Sequence, residues 1–157
     1  MDARSIVSSV GLPVAAAALG SVATSSGTRS AWYQKLNKPA IQPPPIVFPM
    51  AWTVLYVQTA VASAMAQGHM GEAQRRIYRR KLAVNMALNA GWCWSFFKGQ
   101  KAGPSVVVAG ALAVSSADLA RTAGTATKPA GLLLMPYTWW SGFATVLNIA
   151  IWRKNRR

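Results

Sequence analysis

Apolar residues along this chain gather into five runs, each long enough to cross a lipid bilayer, with short polar or proline-rich stretches between them. The runs cover approximately residues 5–25, 46–66, 79–97, 104–120 and 130–152. A transmembrane helix needs about 20 mainly apolar residues. Backbone groups in lipid must be hydrogen-bonded within the segment, and the alternating pattern of a membrane barrel is missing. The pattern therefore predicts a single domain and an all-α membrane protein, a bundle of five transmembrane helices.

The first and third runs need interpretation. The first is preceded by one basic residue, Arg4, and is longer than the apolar core of a typical signal peptide, so we interpret it as a retained membrane helix. The apolar part of the third run begins only at Leu82. We extend its helix one turn back, onto a basic stretch whose long side chains can reach the headgroups.

The segment between the first two runs is rich in proline and aromatic residues. Residues 32–45 read WYQKLNKPAIQPPP. Proline fixes φ and has no amide hydrogen, so residues 39–45 should lie outside regular helix apart from a short turn. Two interpretations are open: a stiff lid that packs on the helix ends, or an interfacial loop anchored at the membrane surface by its aromatic residues.

Composition and charge favour a membrane protein over a nucleic-acid-binding one. Charged residues make up 13% of the chain, about half of their share in a soluble domain. The 17 Lys and Arg lie between the apolar runs and at the C-terminus, which suits lipid headgroups at both membrane surfaces. With five spans, eight of them fall on one side and nine on the other, so the positive-inside rule gives no orientation.

The chain carries no recognisable catalytic set. It has one cysteine, Cys93, one histidine, His69, and three acidic residues far apart in sequence, Asp2, Glu72 and Asp118. These offer no nucleophile–base pair, no paired carboxylates and no metal-ligand spacing. We therefore expect a binder, carrier or sensor with no metal site and no required cofactor.

Polar residues inside the runs are the next candidates. Asn85 and Asn89 are four residues apart and share one face of the third helix, and Asn148 lies in the fifth. Each amide should face the bundle interior, either to hydrogen-bond between helices or to contact a mainly apolar ligand. Asp118 is a functional candidate because ionisable residues in membrane spans often are.

Small residues recur at every fourth position of the third helix, a spacing that lets a second helix approach closely. They form either a homodimer face or a packing face inside the bundle. We call this set the small-residue ladder, and its members are Ala83, Ala87, Gly91 and Ser95.

Seven tryptophans are present. A membrane protein uses indole rings as anchors at the lipid–water boundary and as flat walls of a pocket for a rigid apolar ligand. Trp152 ends a span beside a basic tail and is expected to be an anchor. Trp52 and Trp140 lie well inside their spans and are expected to face inward.

Three motifs in a fixed order point to a known family. They are WYQKLNKP at 32–39, followed by prolines at 43–44 and VFPMAWTVLY at 47–56; LNAGWCWSFF at 88–97; and LLLMPYTWWSGFATVLN at 132–148. With them, nearly the whole chain resembles the TspO/MBR family, the tryptophan-rich sensory proteins and translocator proteins (peripheral-type benzodiazepine receptors).

The resemblance implies a five-helix bundle, usually a homodimer, with a pocket between the helices under the first loop. Members of the family bind tetrapyrroles such as protoporphyrin and haem, sterols such as cholesterol, and synthetic benzodiazepine-site ligands. Carried over by position, aromatic residues and one asparagine would contact the ligand. The predicted ligand-binding residues are Trp52, Trp140, Asn89, Trp92, Tyr56, Phe48 and Trp32.

Two functions follow from the resemblance. The first is binding of porphyrin or haem by a tetrapyrrole sensor, scavenger or transporter; the second is an enzyme that degrades porphyrin with light and oxygen. A purely structural membrane partner, a third possibility, would bind neither. We expect an integral multi-pass protein, with a bacterial inner membrane favoured and the mitochondrial outer membrane as the alternative.

The chain also departs from the family pattern. Ala40 and Ile41 stand where the family often has Trp after the KP pair, and no Trp occurs between residues 95 and 138, where many members have one. The sterol-recognition pattern at the end of the fifth span needs a Tyr where Ile149 stands. The lid is therefore less aromatic than usual, and the expectation of sterol binding is weaker.

Overall fold

Five long helices and one short helix make up the computed structural model, which describes residues 1–156. No strand occurs in that part of the chain, so the predicted all-α class is confirmed, and residues 39–45 lie outside regular helix. A short π-helical turn, Trp94–Lys98, extends the fourth helix. The helices are α1 (Ala3–Thr28), α2 (Ala31–Lys35), α3 (Val47–Gly68), α4 (Glu72–Cys93), α5 (Ala102–Ala126) and α6 (Lys128–Asn155).

The long helices pack in a closed ring in the order α1, α4, α5, α6, α3 and back to α1. The most extensive contact is that of α5 with α6, an antiparallel hairpin connected by Thr127 alone. The extended backbone of Thr127 (φ −157°, ψ 129°) reverses the chain. Gly124 and Gly131 let the two helices touch, because a Cβ added to Gly131 would lie 2.7 Å from the Gly124 Cα.

The bundle is apolar outside and carries much of its polarity inside. Val7, Val107, Val114 and Leu132 each leave 68–73% of their surface exposed. A soluble domain rarely exposes so many aliphatic side chains, whereas lipid is a matched solvent for them. This distribution is typical of a membrane protein. The buried polar side chains include Ser9, Thr59, Ser63, Gln67, Asn85, Asn89, Ser116, Ser141 and Asn148.

Length and apolar composition alone mark three of the described helices, α1, α3 and α5, as able to cross a membrane. The other two long helices are more polar. α4 starts at Glu72, ahead of the predicted span at 79, and residues 72–81 contain five Arg and Lys. α6 mixes Trp, Tyr, Thr and Pro into its apolar run. The ring of five long helices is therefore observed, and hydropathy supports a membrane crossing for three of them.

The two ends of the ring differ in packing. The packed half lies at the α3–α4 turn and Thr127, where Tyr78, Leu82, Leu119 and Leu134 have no exposed surface. The cavity half lies at the other end, under the loop that connects α1 to α3 (residues 29–46), and contains the π-helical turn and the last turns of α6.

Hydrogen bonds between helices close the bundle below the cavity. The Tyr137 hydroxyl donates to Asn85 Oδ1 (2.7 Å) and accepts from Asn89 Nδ2 (3.2 Å). Asn85 Nδ2 donates to the hydroxyl oxygens of Ser115 (3.2 Å) and Ser116 (3.1 Å). Of the two roles considered for the asparagines of the third span, hydrogen bonding between helices is the one observed.

Asp118 belongs to an ion pair between α4 and α5. Its carboxylate lies 2.9 Å from Lys81 Nζ and 3.7 Å from an Arg121 guanidinium nitrogen. None of the three residues lines the cavity described below. Asp118 therefore pairs with a charge on the neighbouring helix at the packed half and is not part of the cavity.

The small-residue ladder faces outward. Ala83, Ala87 and Gly91 are exposed, and Ser95 is half-buried. A Cβ added to Gly91 would meet no atom within 4 Å. Of the two interpretations of the ladder, packing inside the bundle does not match this placement.

Candidate functional site: a tryptophan-lined cavity

A cavity of about 700 Å³ lies in the cavity half, between α1, α3, α6 and the end of α4. Its wall is aromatic on the α3, α4 and α6 sides and small on the α1 side. Hydroxyl and amide side chains are present among the lining residues, and none of the lining residues is charged. The lining residues are Ala17, Ala18, Gly20, Ser21, Thr24, Ser25, Thr28, Tyr33, Gln42, Pro45, Phe48, Pro49, Trp52, Thr53, Tyr56, Trp92, Cys93, Phe96, Phe97, Trp140, Ala144, Leu147, Asn148 and Ile151.

Trp52 stands at the centre of the aromatic wall. Its ring centroid lies 5.8 Å from that of Tyr56, one turn along α3. It lies 6.3 Å from the centroids of Trp92 on α4 and Trp140 on α6. Such tilted and edge-to-face pairs are favourable by about 0.5–1.5 kcal/mol each beyond the area that they bury. The three helices therefore present a rigid aromatic surface to the cavity.

The opposite wall is formed by α1, whose small residues leave the space open. Gly20 brings this wall close to α4, because a Cβ there would come within 3.3 Å of Cys93 Sγ. Around it, Ala17, Ser21 and Thr24 line the cavity without filling it. Small side chains facing large rings thus set the width of the cavity.

The π-helical turn extends the aromatic wall beyond the end of α4. A π-helical turn changes the direction in which successive side chains point and is often found at functional sites. Here Phe96 is buried and its ring stacks on that of Trp92, with centroids 6.0 Å apart. Phe97 packs on Gly27 of α1, where an added Cβ would lie 2.9 Å from the Phe97 Cα.

The loop between α1 and α3 covers the cavity. Within it, the rings of Trp32 and Tyr33 pack on Phe96, with centroids 5.5 Å and 6.5 Å away. The loop is also tied to the last helix, because Asn155 accepts from the Asn37 amide (2.8 Å) and donates to the Asn37 carbonyl (3.0 Å). This placement corresponds to the lid rather than to a loop anchored outside the bundle.

Tyr33 is the titratable group of the lid that lines the cavity. Burial raises the pKa of its hydroxyl above the ordinary value, and a hydrogen bond from Gln42 opposes this shift weakly. The Tyr33 hydroxyl is therefore neutral at physiological pH and can both donate and accept hydrogen bonds.

Most polar groups of the cavity are already paired. Asn148 Oδ1 accepts from Trp92 Nε1 (2.8 Å) and Ser105 Oγ (3.0 Å), and Asn148 Nδ2 donates to the Ala102 carbonyl (2.9 Å). Two buried atoms of lining residues have no partner in the described structure: Trp140 Nε1, a donor, and Gln42 Oε1, an acceptor. Unpaired buried groups cost free energy, so a ligand that pairs with them gains affinity.

The structure brings most of the predicted ligand-binding residues to the cavity. Five of them line it: Trp52, Trp140, Trp92, Tyr56 and Phe48. The other two, Asn89 and Trp32, do not. Asn89 lies behind the wall and accepts from the Tyr56 hydroxyl (2.7 Å), and Trp32 packs behind Phe96. Both support the wall instead of forming its surface.

Some lining residues were not predicted. Cys93, Phe96 and Phe97 all stand in the second motif, so that motif already carried their signal. The α1 side had a weaker signal. Gly20, Thr24 and Thr28 recur every fourth residue, which marks a small and polar stripe on an otherwise apolar helix.

Trp152 packs between helices near the end of α6. It is half-buried, its indole lies against Gly103 of α5, and the Arg156 guanidinium stands 5.2 Å from its ring centroid. It does not line the cavity. Part of the ring is therefore used for packing at the helix end, and its role as an anchor at the membrane surface stays a prediction.

The fold and its site define a class: an all-helical membrane protein whose ring of helices encloses a ligand-sized, aromatic cavity. The chain belongs to the TspO/MBR family, whose family model matches residues 9–153. The resemblance inferred from the three motifs is therefore confirmed.

Individual relatives agree with this assignment. The chain is 32% identical over 148 residues to the tryptophan-rich protein TspO of Chlorobaculum tepidum, which covers 93% of this chain and 92% of that protein. It is 30% identical to protein CrtK of Rhodobacter capsulatus, with 80% and 79% covered. It is 31% identical to the translocator protein of Homo sapiens, with 79% and 75% covered. These relatives support a role as a membrane sensor or transporter.

Proposed function

We propose that this protein binds porphyrin or haem in the tryptophan-lined cavity and serves as a tetrapyrrole sensor, scavenger or transporter. The observation that carries the proposal is the cavity of about 700 Å³ with rings from three helices along one side. Small-molecule sites typically measure roughly 300–1,000 Å³. A flat conjugated ligand gains most from such a wall because it can stack on rigid rings without bending.

The unpaired groups suggest how such a ligand would be oriented. Trp140 Nε1 can donate to a ligand oxygen, and the Gln42 carbonyl oxygen can accept from a ligand N–H or O–H. Porphyrins carry carboxylate oxygens at one edge and apolar surface elsewhere. A sterol offers one hydroxyl and no flat π-system, so we expect it to bind more weakly in this cavity.

A titration with matched tryptophan variants tests the proposal. Protoporphyrin, haem and cholesterol are added to purified protein, and binding is followed by quenching of tryptophan fluorescence. Trp140→Phe keeps most of the ring volume and removes the donor, so we expect porphyrin to bind about 3- to 10-fold more weakly, as for the loss of one hydrogen bond.

The neighbouring residue provides the control. Trp139 is 73% exposed on the outside of the bundle and does not line the cavity. Trp139→Phe should leave the affinity unchanged. Equal losses in the two variants, or no porphyrin binding by the unaltered protein, would contradict the assignment of the cavity.

A porphyrin-degrading enzyme is the second candidate function. The observation in its favour is the spacing of Trp52, Trp92 and Trp140, whose rings surround one space and can act as electron donors to a light-excited ligand. Absorption spectra recorded in light and in darkness separate the two functions. A stable bound spectrum favours binding alone; a product band that needs light, oxygen and Trp52 favours the enzyme.

We further propose that all five long helices cross the membrane. α4 lies between α1 and α5 in the ring, and α6 lies between α3 and α5. Each is therefore flanked by two helices that are long and apolar enough to cross a membrane. The basic residues at the start of α4 can reach the headgroups. A bacterial inner membrane is our favoured location, because the relative that covers the chain most fully, of those compared above, is bacterial.

We also propose a homodimer through the small-residue ladder. The ladder is exposed, and the space beside Gly91 is open to a second helix. Gly91→Leu should block close approach and give monomers in detergent, measured by sedimentation. Gly110→Leu on α5 is the matched control, since it also has nothing within 4 Å. An unchanged dimer in Gly91→Leu would place the interface elsewhere.

A further inference from the structure

A recess at the N-terminal ends of α1 and α4 carries a cluster of arginines. It lies in the packed half, away from the cavity, where the parallel helices α1 and α4 contact each other. Four of its lining residues are arginines and one is acidic. The lining residues are Arg4 of α1 and Glu72, Arg76, Arg79, Arg80 and Ala83 of α4.

The acidic groups at this end already have partners. Glu72 Oε1 lies 3.2 Å from Arg79 Nη2, and this arginine is largely buried, with 17% of its side chain exposed. Asp2 Oδ1 accepts from the Ser5 amide (2.8 Å) as the cap of α1. That hydrogen bond lowers the pKa of Asp2, with a smaller contribution from nearby arginines, so the carboxylate stays ionised and bound to the helix end.

Three arginines of the recess remain without a partner. Arg4, Arg76 and Arg80 are exposed, and within residues 1–156 none of them forms an ion pair or a side-chain hydrogen bond. Arg76 and Arg80 are four residues apart on one face of α4, a spacing at which like charges repel. The N-terminal ends of two helices add positive potential at the same place. An anion held between these side chains would relieve the repulsion.

We propose that this recess binds the phosphate group of an anionic phospholipid. Guanidinium groups present paired N–H donors that match phosphate oxygens. A lipid fits better than free phosphate because apolar surface follows directly on both helices: Val7, one turn after Arg4, is 68% exposed, and Val84, one turn after Arg80, is 57% exposed. The inference rests on the proposed membrane setting and does not depend on the cavity ligand.

Native mass spectrometry of the purified full chain tests the site. Phosphatidylglycerol and phosphatidylcholine are offered at equal concentration, and retained lipid is counted. The unaltered protein should retain phosphatidylglycerol preferentially. The double variant Arg76→Gln/Arg80→Gln should bind it roughly 30-fold more weakly, from the usual contribution of two surface cations to anionic lipid binding. The control is Arg153→Gln/Lys154→Gln, which removes equal charge at the end of α6.

Further variants distinguish lipid binding at the recess from effects of net charge and of folding. Arg76→Lys/Arg80→Lys keeps the charge and loses the paired donors, so its affinity should fall between those of the unaltered protein and the Gln variant. Arg4→Gln, on the other helix, should weaken binding as well. All variants should keep their helical circular dichroism and their protoporphyrin affinity, which makes failure of this proposal distinguishable from failure of the proposed function.

Several results would overturn the proposal. Equal retention of the two lipids by the unaltered protein would exclude a site for anionic lipid. An equal loss in the α6 control would attribute binding to net charge. Competition by millimolar inorganic phosphate would assign the recess to free phosphate, and loss of protoporphyrin binding in the double variant would assign the effect to the fold.

Discussion

The packed half and the cavity half use the same kinds of residue, and they differ in what those residues face. In the packed half, the Tyr78 hydroxyl lies 2.9 Å from Ser63 Oγ, and Gly131 lies directly against Gly124. In the cavity half, the small residues of α1 face tryptophan rings across an open space, and Trp140 Nε1 has no partner. The pairing of residues across helices, rather than their type, therefore decides where this bundle closes and where it leaves a site.

The largest effect is expected from a substitution that pushes α5 and α6 apart. In Gly131→Leu the new Cβ would lie 2.7 Å from the Gly124 Cα and 3.1 Å from the Ala120 carbonyl oxygen. These are backbone atoms that cannot move aside, so we expect a loss of stability of about 3 kcal/mol or more. Unfolding in a denaturing detergent measures it. Gly142→Leu on the same helix, where nothing lies within 4 Å, is the control and should be tolerated.

A smaller loss is expected when the hydrogen bonds below the cavity are cut. Asn85→Leu keeps a similar volume but leaves the Tyr137 and Ser116 hydroxyls without this partner. We expect a loss of about 1–2 kcal/mol in unfolding free energy. Gln42→Leu, which removes an acceptor that has no partner, should change stability less. Equal losses in the two variants would mean that the paired polar groups below the cavity contribute no more to stability than the unpaired group of the cavity half.

The smallest effect on stability, with a clear effect on binding, is expected on the α1 wall. Ala17→Phe introduces a ring into the cavity, where space for it exists, so the fold should be retained. Porphyrin should bind about tenfold or more weakly because the ring occupies part of its volume. Ala15→Phe, exposed on the same helix and absent from the cavity lining, should bind porphyrin normally. If Ala17→Phe also binds normally, the ligand does not use this cavity.

The sequence was most informative where a pattern had one physical interpretation. Apolar runs separated by prolines and polar residues predicted five long helices, and length and hydropathy alone mark three of them, α1, α3 and α5. The depth of Trp52 and Trp140 within their runs predicted that they face inward. The resemblance supplied Trp92, Tyr56 and Phe48, and all five residues line the cavity.

The sequence alone could not predict features that depend on pairing between distant segments. The face of α4 that carries Asn89 was evident from spacing, but its contacts with Tyr56 and Tyr137 arise only when α3 and α6 pack beside it. The change from α-helix to π-helix at Trp94 leaves no periodic signal in so short a run. The short helix α2 does have a local signal, because Ser30 is a typical N-cap residue and its Oγ accepts from the Tyr33 amide at the start of the helix.

The two hydrogen bonds between Asn37 and Asn155 have a consequence for the order in which the helices assemble during synthesis. The two residues are 118 positions apart, and α6 follows all other helices along the chain. Synthesis proceeds from the N-terminus, so the lid and three cavity walls exist before the helix that fastens them. Until α6 packs against the other helices, α3 lacks one neighbour and the ring remains open on that side. The compartment is thus sealed last, by the same helix that brings Trp140 and Asn148 into it.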